Sequence, residues 1–171
     1  MSTLRLRSLQ AADEVPFAAA HAALAADKFS FGLGYHAGLT WTDYLAELES
    51  ARVGDELPNG LVPATFLVAD VDGVIVGRTS VRHRLNEFLA REGGHIGYAV
   101  LPEFRRRGYA TAILQQSLVI ARSNGITRVL ITCDDANLAS ATVIERCGGV
   151  FESMVEGSET GALKRRYWIE N

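Results

Sequence analysis

The stretch from Gly94 to Gly125 constrains this chain most. GHIGYAVL reads as a strand, Pro102 stops it, three arginines and a glycine follow, and small residues then open a helix. The apolar positions Ala110, Ile113, Leu114, Leu118 and Ala121 recur at helical spacing until Asn124-Gly125 ends the pattern. A strand, a tight basic turn and an amphipathic helix in direct succession call for a layered fold in which the helix covers a sheet.

The flanking sequence extends this grammar. Thr3–Leu9 alternates as a first strand, and Ala11–Ala26 is an alanine-rich helix with Asp13 and Glu14 in its first turns. The glycine-interrupted segment Phe29–Leu39 is a loop, and Thr40 is the expected N-cap of a helix running to about Val53. Gly54–Pro63 connects to two strands, Thr65–Ala69 and Val74–Val81, which Asp70-Val71-Asp72-Gly73 joins as a hairpin. Arg82–Arg91 is a short helix or an irregular excursion. Beyond the central helix come a strand at Thr127–Cys133, a helix from about Asp135 to Cys147, and strands near Val150–Val155 and Lys164–Ile169. The order β-α-α-β-β-β-α-β-α-β-β gives one α+β domain with helices against a central mixed sheet.

Composition removes several function classes. In 171 residues the formal net charge is −3, which does not suit a nucleic-acid binder, and no apolar run reaches the length of a membrane span. MSTLRLRSLQ lacks the pattern of a secretory signal, so a cytoplasmic location is expected. Cys133 and Cys147 read as packed reduced thiols, and His21, His36, His83 and His95 lack metal-ligand spacing, so no metal is expected. Asp134 and Asp135 read as caps of the following helix, and Arg165-Arg166-Tyr167-Trp168 as a solvated edge with packed aromatics.

Pro102–Thr111 carries the chemistry. A helix N-terminus presents unpaired N–H groups and a partial positive charge, so it accepts phosphate. Gly108 lets the backbone approach a ligand, Ala110 keeps the first turn slim, and the arginines add charge. The Walker pattern fails because no Lys-Ser or Lys-Thr follows the glycine, and the GxGxxG dinucleotide pattern fails too.

Arg105-x-x-Gly108-x-Ala110 resembles the R/Q-x-x-G-x-G/A signature of the GCN5-related N-acetyltransferase (GNAT) superfamily. Gly97–Pro102 looks like that family's fourth strand, and Asn137 with the helix ending at Gly148 is similar to its motif B. The likeness spans about residues 64–151. GHIGYAVLPEFRRRGYAT, LITCDDANLAS and the RRYWI tail look like a branch of predicted acetyltransferases. The resemblance implies a three-layer arrangement over residues 1–171, with a mixed, mostly antiparallel central sheet flanked by helices. It further implies acetyl-CoA as cosubstrate and a small-molecule or peptide amine as acceptor, without nucleic acid or membrane. Homodimers are common in such families.

Carried over by position, the resemblance implies that the backbone of Arg106, Arg107, Gly108, Tyr109 and Ala110, with Thr111, holds the CoA pyrophosphate, with Arg105 adding charge. Val100 and Leu101 would hold the pantetheine arm, and Asn137 would contact that arm or the acceptor, its alternative being a helix cap. Amine acylation also needs a base and a proton for the leaving thiolate. His95 is the expected base, unless it is a structural histidine; Glu152 and Glu87 are weaker choices. The family's tyrosine should fall at position 144, where this chain has Ile144, so Ser140 or Tyr98 is left to supply the proton, unless the thiolate departs to water. With Ile144 there, a CoA-binding regulatory module without turnover is the competing reading. The Phe29–Tyr35 loop either lines the acceptor pocket or packs on the core.

Overall fold

The computed structural model describes residues 3–55 and 57–171, so Glu56 of the predicted connecting loop lies outside it. The observed order is β1 (Arg5–Arg7), α1 (Glu14–Ala25), α2 (Trp41–Val53), β2 (Ala64–Val71), β3 (Val74–Arg82), β4 (Ile96–Val100), α3 (Tyr109–Ser123), β5 (Arg128–Asp134), α4 (Leu138–Arg146), β6 (Val150–Glu156) and β7 (Leu163–Glu170). This is the expected α+β order. The irregular excursion before β4 is a single π-helical turn, Leu89–Gly93, whose start is capped by the Asn86 side chain accepting from the Leu89 N–H.

One expectation changes in form. The strands do not make a single continuous sheet but two antiparallel ones, ordered β1-β2-β3-β4 and β5-β7-β6. They meet at one seam. The His95 N–H donates to the Leu130 carbonyl at 2.7 Å, and the Leu130 N–H donates to His95 Nδ1 at 2.9 Å. Past that point, among the described residues, no ladder joins β4 to β5. Gly94 makes the seam possible: its φ is +67°, and a Cβ there would sit 2.7 Å from the Leu130 carbonyl oxygen.

Helices cover both faces. On one side α1 buries Phe17, Ala20 and Leu24, a helical stripe, while α2 adds Trp41 and Tyr44. Thr40 caps α2 as expected, accepting from the Asp43 N–H, and Gly54 ends it in a left-handed conformation. On the other side α3 buries Ile113, Leu114, Ser117 and Ala121, and α4 buries Ala141 and Ile144. At the first sheet's edge, Arg7 bridges the buried carboxylate of Asp70 on β2 and that of Asp13 just before α1, at 2.9 and 2.6 Å. Both carboxyls are held below the usual range, Asp13 chiefly by Arg7 and Asp70, against the effect of its burial, by the Gly73 N–H and Arg7.

Phe17 is the hub of the α1–α2 face. Its ring lies 5.0–5.6 Å from those of Phe31, Tyr35, Trp41 and Tyr44, so one side chain unites both helices and the Phe29–Leu39 loop. We expect Phe17→Ala to cost about 3–5 kcal/mol, read as a lowered urea midpoint with the tryptophan signal as probe.

Candidate acyl-transfer site

The site begins where the two sheets part. Along β4 the residues alternate: Tyr98 and Val100 face α3 and α4, while Ala99 and Leu101 face α1 and α2. The backbone alternates in the other plane. The Leu101 N–H donates to the Val76 carbonyl of β3, and the His95 carbonyl accepts from Arg82. Odd-numbered residues of β4 are therefore spent on β3, and the N–H and C=O groups of Tyr98 and Val100 point into the gap left by β5. Of the two residues expected at the pantetheine, Val100 is turned toward the gap and Leu101 away from it.

Directly beyond β4, a 3-10 turn at Pro102–Phe104 leads into the basic loop. Arg106 (φ +62°) and Gly108 (φ +81°) both adopt the left-handed conformation, which curls the backbone so that successive N–H groups point the same way. The first helical bond of α3 is from the Ala112 N–H to the Gly108 carbonyl at 3.1 Å. Among the described residues, the N–H groups of Arg106, Arg107, Gly108, Tyr109, Ala110 and Thr111 have no acceptor. A Cβ on Gly108 would meet nothing within 4 Å, so this concavity is open.

The arginines divide their work. Arg105 turns away from the N–H cradle, donating from Nε to the Val100 carbonyl at 3.2 Å and pairing with Asp27 at 2.6 Å. It braces the loop against β4 and the end of α1, which corrects the expectation that its charge faces the phosphates. Arg106 and Arg107 are exposed and pair with no acid among the described residues.

Across the gap, Asn137 caps α4: its Oδ1 accepts from the Ser140 N–H at 3.1 Å. Asp134 and Asp135 do not cap the helix. They pair instead with Lys164 and Arg165 of β7, at 2.8 and 2.7 Å. The neighbouring Arg166 is no solvated edge either, since it binds Glu152 at 2.7 Å and the carbonyls of Ala90 and Arg91. Ile144 is fully buried in the core. The hydroxyls of Tyr98 and Ser140 bridge β4 to α4 at 2.9 Å, and burial pushes the Tyr98 phenol up to about 12. Such a phenol keeps its proton at neutral pH.

The expected base fares differently. His95 is buried, and its Nδ1 lone pair is occupied by the Leu130 N–H, which leaves the other ring nitrogen carrying the proton. It cannot take a proton from an amine while that bond stands. Glu152 is held by Arg166 and by the Trp168 indole, whose hydrogen bonds pull its carboxyl down to about 2, and Glu87 is exposed. Two acids that the sequence does not mark reach a cavity wall, Glu159 and, in the π-helical turn, Glu92. That cavity, of about 310 Å³, is formed on the α1 side by Phe29, Arg78, Arg82, Gly97, Thr132 and their neighbours. Hydrogen bonding from Ser158 holds the Glu92 carboxyl below its usual value. No motif marks Glu92, because it reaches the cavity through a turn with no regular period. Of the Phe29–Tyr35 loop, Phe29 lines this cavity and Phe31 packs in the core. Cys133 and Cys147 are free thiols that burial pushes up, Cys133 to about 11. Among the described residues no cluster of His, Cys, Asp or Glu could hold a metal, and no helix is long and apolar enough to cross a membrane.

The family model described as acetyltransferase (GNAT) family matches residues 34–149. The chain belongs to this family. Sequence comparison with curated proteins gives no match. Among solved structures the fold is similar to yncA of Salmonella typhimurium with its cofactor acetyl-CoA (17% identity, 98% of this chain and 93% of that one covered, TM-score 0.67). It is similar also to RimL, a ribosomal L7/L12 alpha-N-protein acetyltransferase in complex with coenzyme A (19%, 99% and 95%, TM-score 0.70). An acetyltransferase from Agrobacterium tumefaciens shares the fold at 22% identity, with 98% and 92% covered and a TM-score of 0.63.

The seam histidine has a measurable consequence. Burial, with the Arg82 charge, lowers the His95 pKa below 6.5, whereas an unfolded histidine titrates near 6.5. Unfolding therefore takes up a proton as pH falls through about 6.5, so stability is full above that pH and declines below it. We expect the urea midpoint to drop between pH 7.5 and 5.5, and His95→Gln, which keeps an acceptor for Leu130, to lessen the drop. His83, lowered by burial and Arg52, supplies the remainder.

Proposed function

We propose that this chain transfers an acetyl group from acetyl-CoA to a primary amine by direct attack in a ternary complex, and that residues 1–171 act as one domain in the cytoplasm. The observation that carries this reading is the run of acceptor-free N–H groups from Arg106 to Thr111, placed at the end of the strand that borders the gap. A concave row of N–H groups at a helix N-terminus suits a pyrophosphate, and the gap suits an extended arm that pairs with a strand edge. The presence of acetyl-CoA or coenzyme A in the yncA and RimL structures supports the same ligand here.

When bound, acetyl-CoA supplies an activated thioester carbonyl and a thiolate leaving group. The N–H groups of Arg106 to Thr111 hold the phosphates, and the Tyr98 N–H and C=O with the Val100 N–H hold the arm. Tyr98, braced by Ser140, stands on the α4 side of the gap as proton donor, in place of the side chain that Ile144 cannot provide. Glu92 stands on the opposite side, in the cavity, to accept a proton from the amine directly or through a water. The amine nitrogen bonds to the acyl carbon as the C–S bond breaks, one proton leaves the nitrogen toward Glu92, and one reaches sulfur from Tyr98. Asn137 contributes by fixing the start of α4 and so the position of Ser140.

Two substitutions test the halves of this reading. Gly108→Asp is expected to abolish CoA binding in calorimetry while Gly108→Asn, which tolerates the left-handed backbone without a charge, retains most of it. Equal CoA affinity of Gly108→Asp and the unaltered chain would exclude the cradle as the phosphate site. Tyr98→Phe is expected to lower kcat by about tenfold to a hundredfold with KM for acetyl-CoA unchanged. Tight CoA binding with no thiol release over a panel of amines would favour instead a CoA-binding regulatory module.

A further inference from the structure

The cavity on the α1 side holds an unusual arrangement of charge. Arg78 and Arg82 line it from β3; Ser80, between them on the same strand face, is fully buried and does not reach it, while Thr79 and Val81 turn to α3. Arg78 is only 4% exposed. Its terminal nitrogens donate to the carbonyls of Gly97 and Ser30, at 3.2 and 3.0 Å, and its guanidinium stacks over Phe29 at 4.6 Å. These contacts aim the group but bring no negative charge. Neither Arg78 nor Arg82 pairs with a carboxylate among the described residues; the Arg82 guanidinium donates to the Gly93 and Gly94 carbonyls.

Burying a cation without a counter-charge costs several kcal/mol in general, so a chain that keeps one has a use for it. Two orphaned atoms lie on the same strand face. Among the described residues, the buried side-chain polar atoms without a hydrogen-bond partner are Arg78 Nε and Ser80 Oγ, neighbours on this one face. Gly97, opposite Ser80, leaves the space that the Arg82 guanidinium fills: a Cβ there would lie 3.2 Å from Arg82 Nη1. The acids of the cavity, Glu92 and Glu159, come from the turn before β4 and from the β6–β7 loop. The wall thus offers positive charge from β3 and from Lys164 of β7, the latter already paired with Asp134, and negative charge from two other segments.

We infer that Arg78 and Arg82 form an anion subsite that holds a carboxylate of the acceptor, so that the acceptor is a small carboxylate-bearing amine of amino-acid type. This rests on the amine-acylation reading. The cavity of about 310 Å³ admits a single small molecule, not a folded protein surface. A carboxylate in the cavity supplies the negative charge that Arg78 and Arg82 both lack, and the ammonium end of the same molecule is drawn to Glu92, where the proton is removed. Arg78 and Arg82 repel one another, and one anion between them relieves both.

The test compares amino acids with their own carboxamides, using L-alanine, L-leucine, L-phenylalanine, L-glutamine and L-glutamate as probes. Binding is read by calorimetry without cofactor, and thiol release is read separately with acetyl-CoA. At least one amino acid is expected to bind, and its carboxamide to bind about tenfold to a hundredfold more weakly. Arg78→Gln should erase that difference, Arg78→Lys should restore part of it, and both should bind CoA as the unaltered chain does. Because the acid-against-amide comparison uses the unaltered protein, it stands even where Arg78→Gln fails to fold. Equal binding of acid and amide, or binding of none of the acids by a protein that binds CoA, overturns the subsite. Failure to bind CoA while the acids still bind overturns the acetyltransfer reading and leaves the subsite standing.

Discussion

Two hydrogen bonds hold this molecule's function in place. The pair between His95 and Leu130 joins the sheets at one end of β4, and no ladder replaces it further along, so the strands diverge. Everything of chemical interest hangs on that divergence. It leaves the outer edge of β4 without a partner strand, aims Tyr98 at Ser140, and gives the cavity its wall between Gly97 and Thr132. A histidine at the seam is thereby structural, since the lone pair that would make it a base is the one that closes the seam.

The gap separates opposing tasks by strand geometry. Side chains of β4 alternate between two faces, so the hydroxyl pair that can give a proton and the cavity acids that can take one sit on opposite sides of the same strand. Burial keeps the Tyr98 phenol protonated, while hydrogen bonding keeps the Glu92 carboxyl ionised. Under the proposed mechanism each group therefore starts in the protonation state its role needs.

Much of the fold was legible because it rests on local rules. Thr40 and Gly54 bracket α2 through capping and left-handed geometry, and the RRRGYA turn was readable because its glycine and the helix behind it are adjacent in sequence. Other roles depend on distant partners. Asp134 and Asp135 resemble caps until β7 brings Lys164 and Arg165 beside them. Arg105 resembles a phosphate ligand until the end of α1 places Asp27 within 2.6 Å. Glu92 carries no motif, and only the turn before β4 brings it to the cavity wall.

The sequence by itself determined the element order, the α+β class and the phosphate-seeking strand–turn–helix unit, since each follows from periodicity, capping or backbone freedom within a few residues. It also determined that Ile144 cannot donate a proton, a matter of side-chain chemistry alone. Only the tertiary structure decided which hydroxyl, acid and arginine stand at the gap. Those assignments rest on pairings between residues tens of positions apart, on which strand edge is left free, and on which buried polar atoms remain without partners.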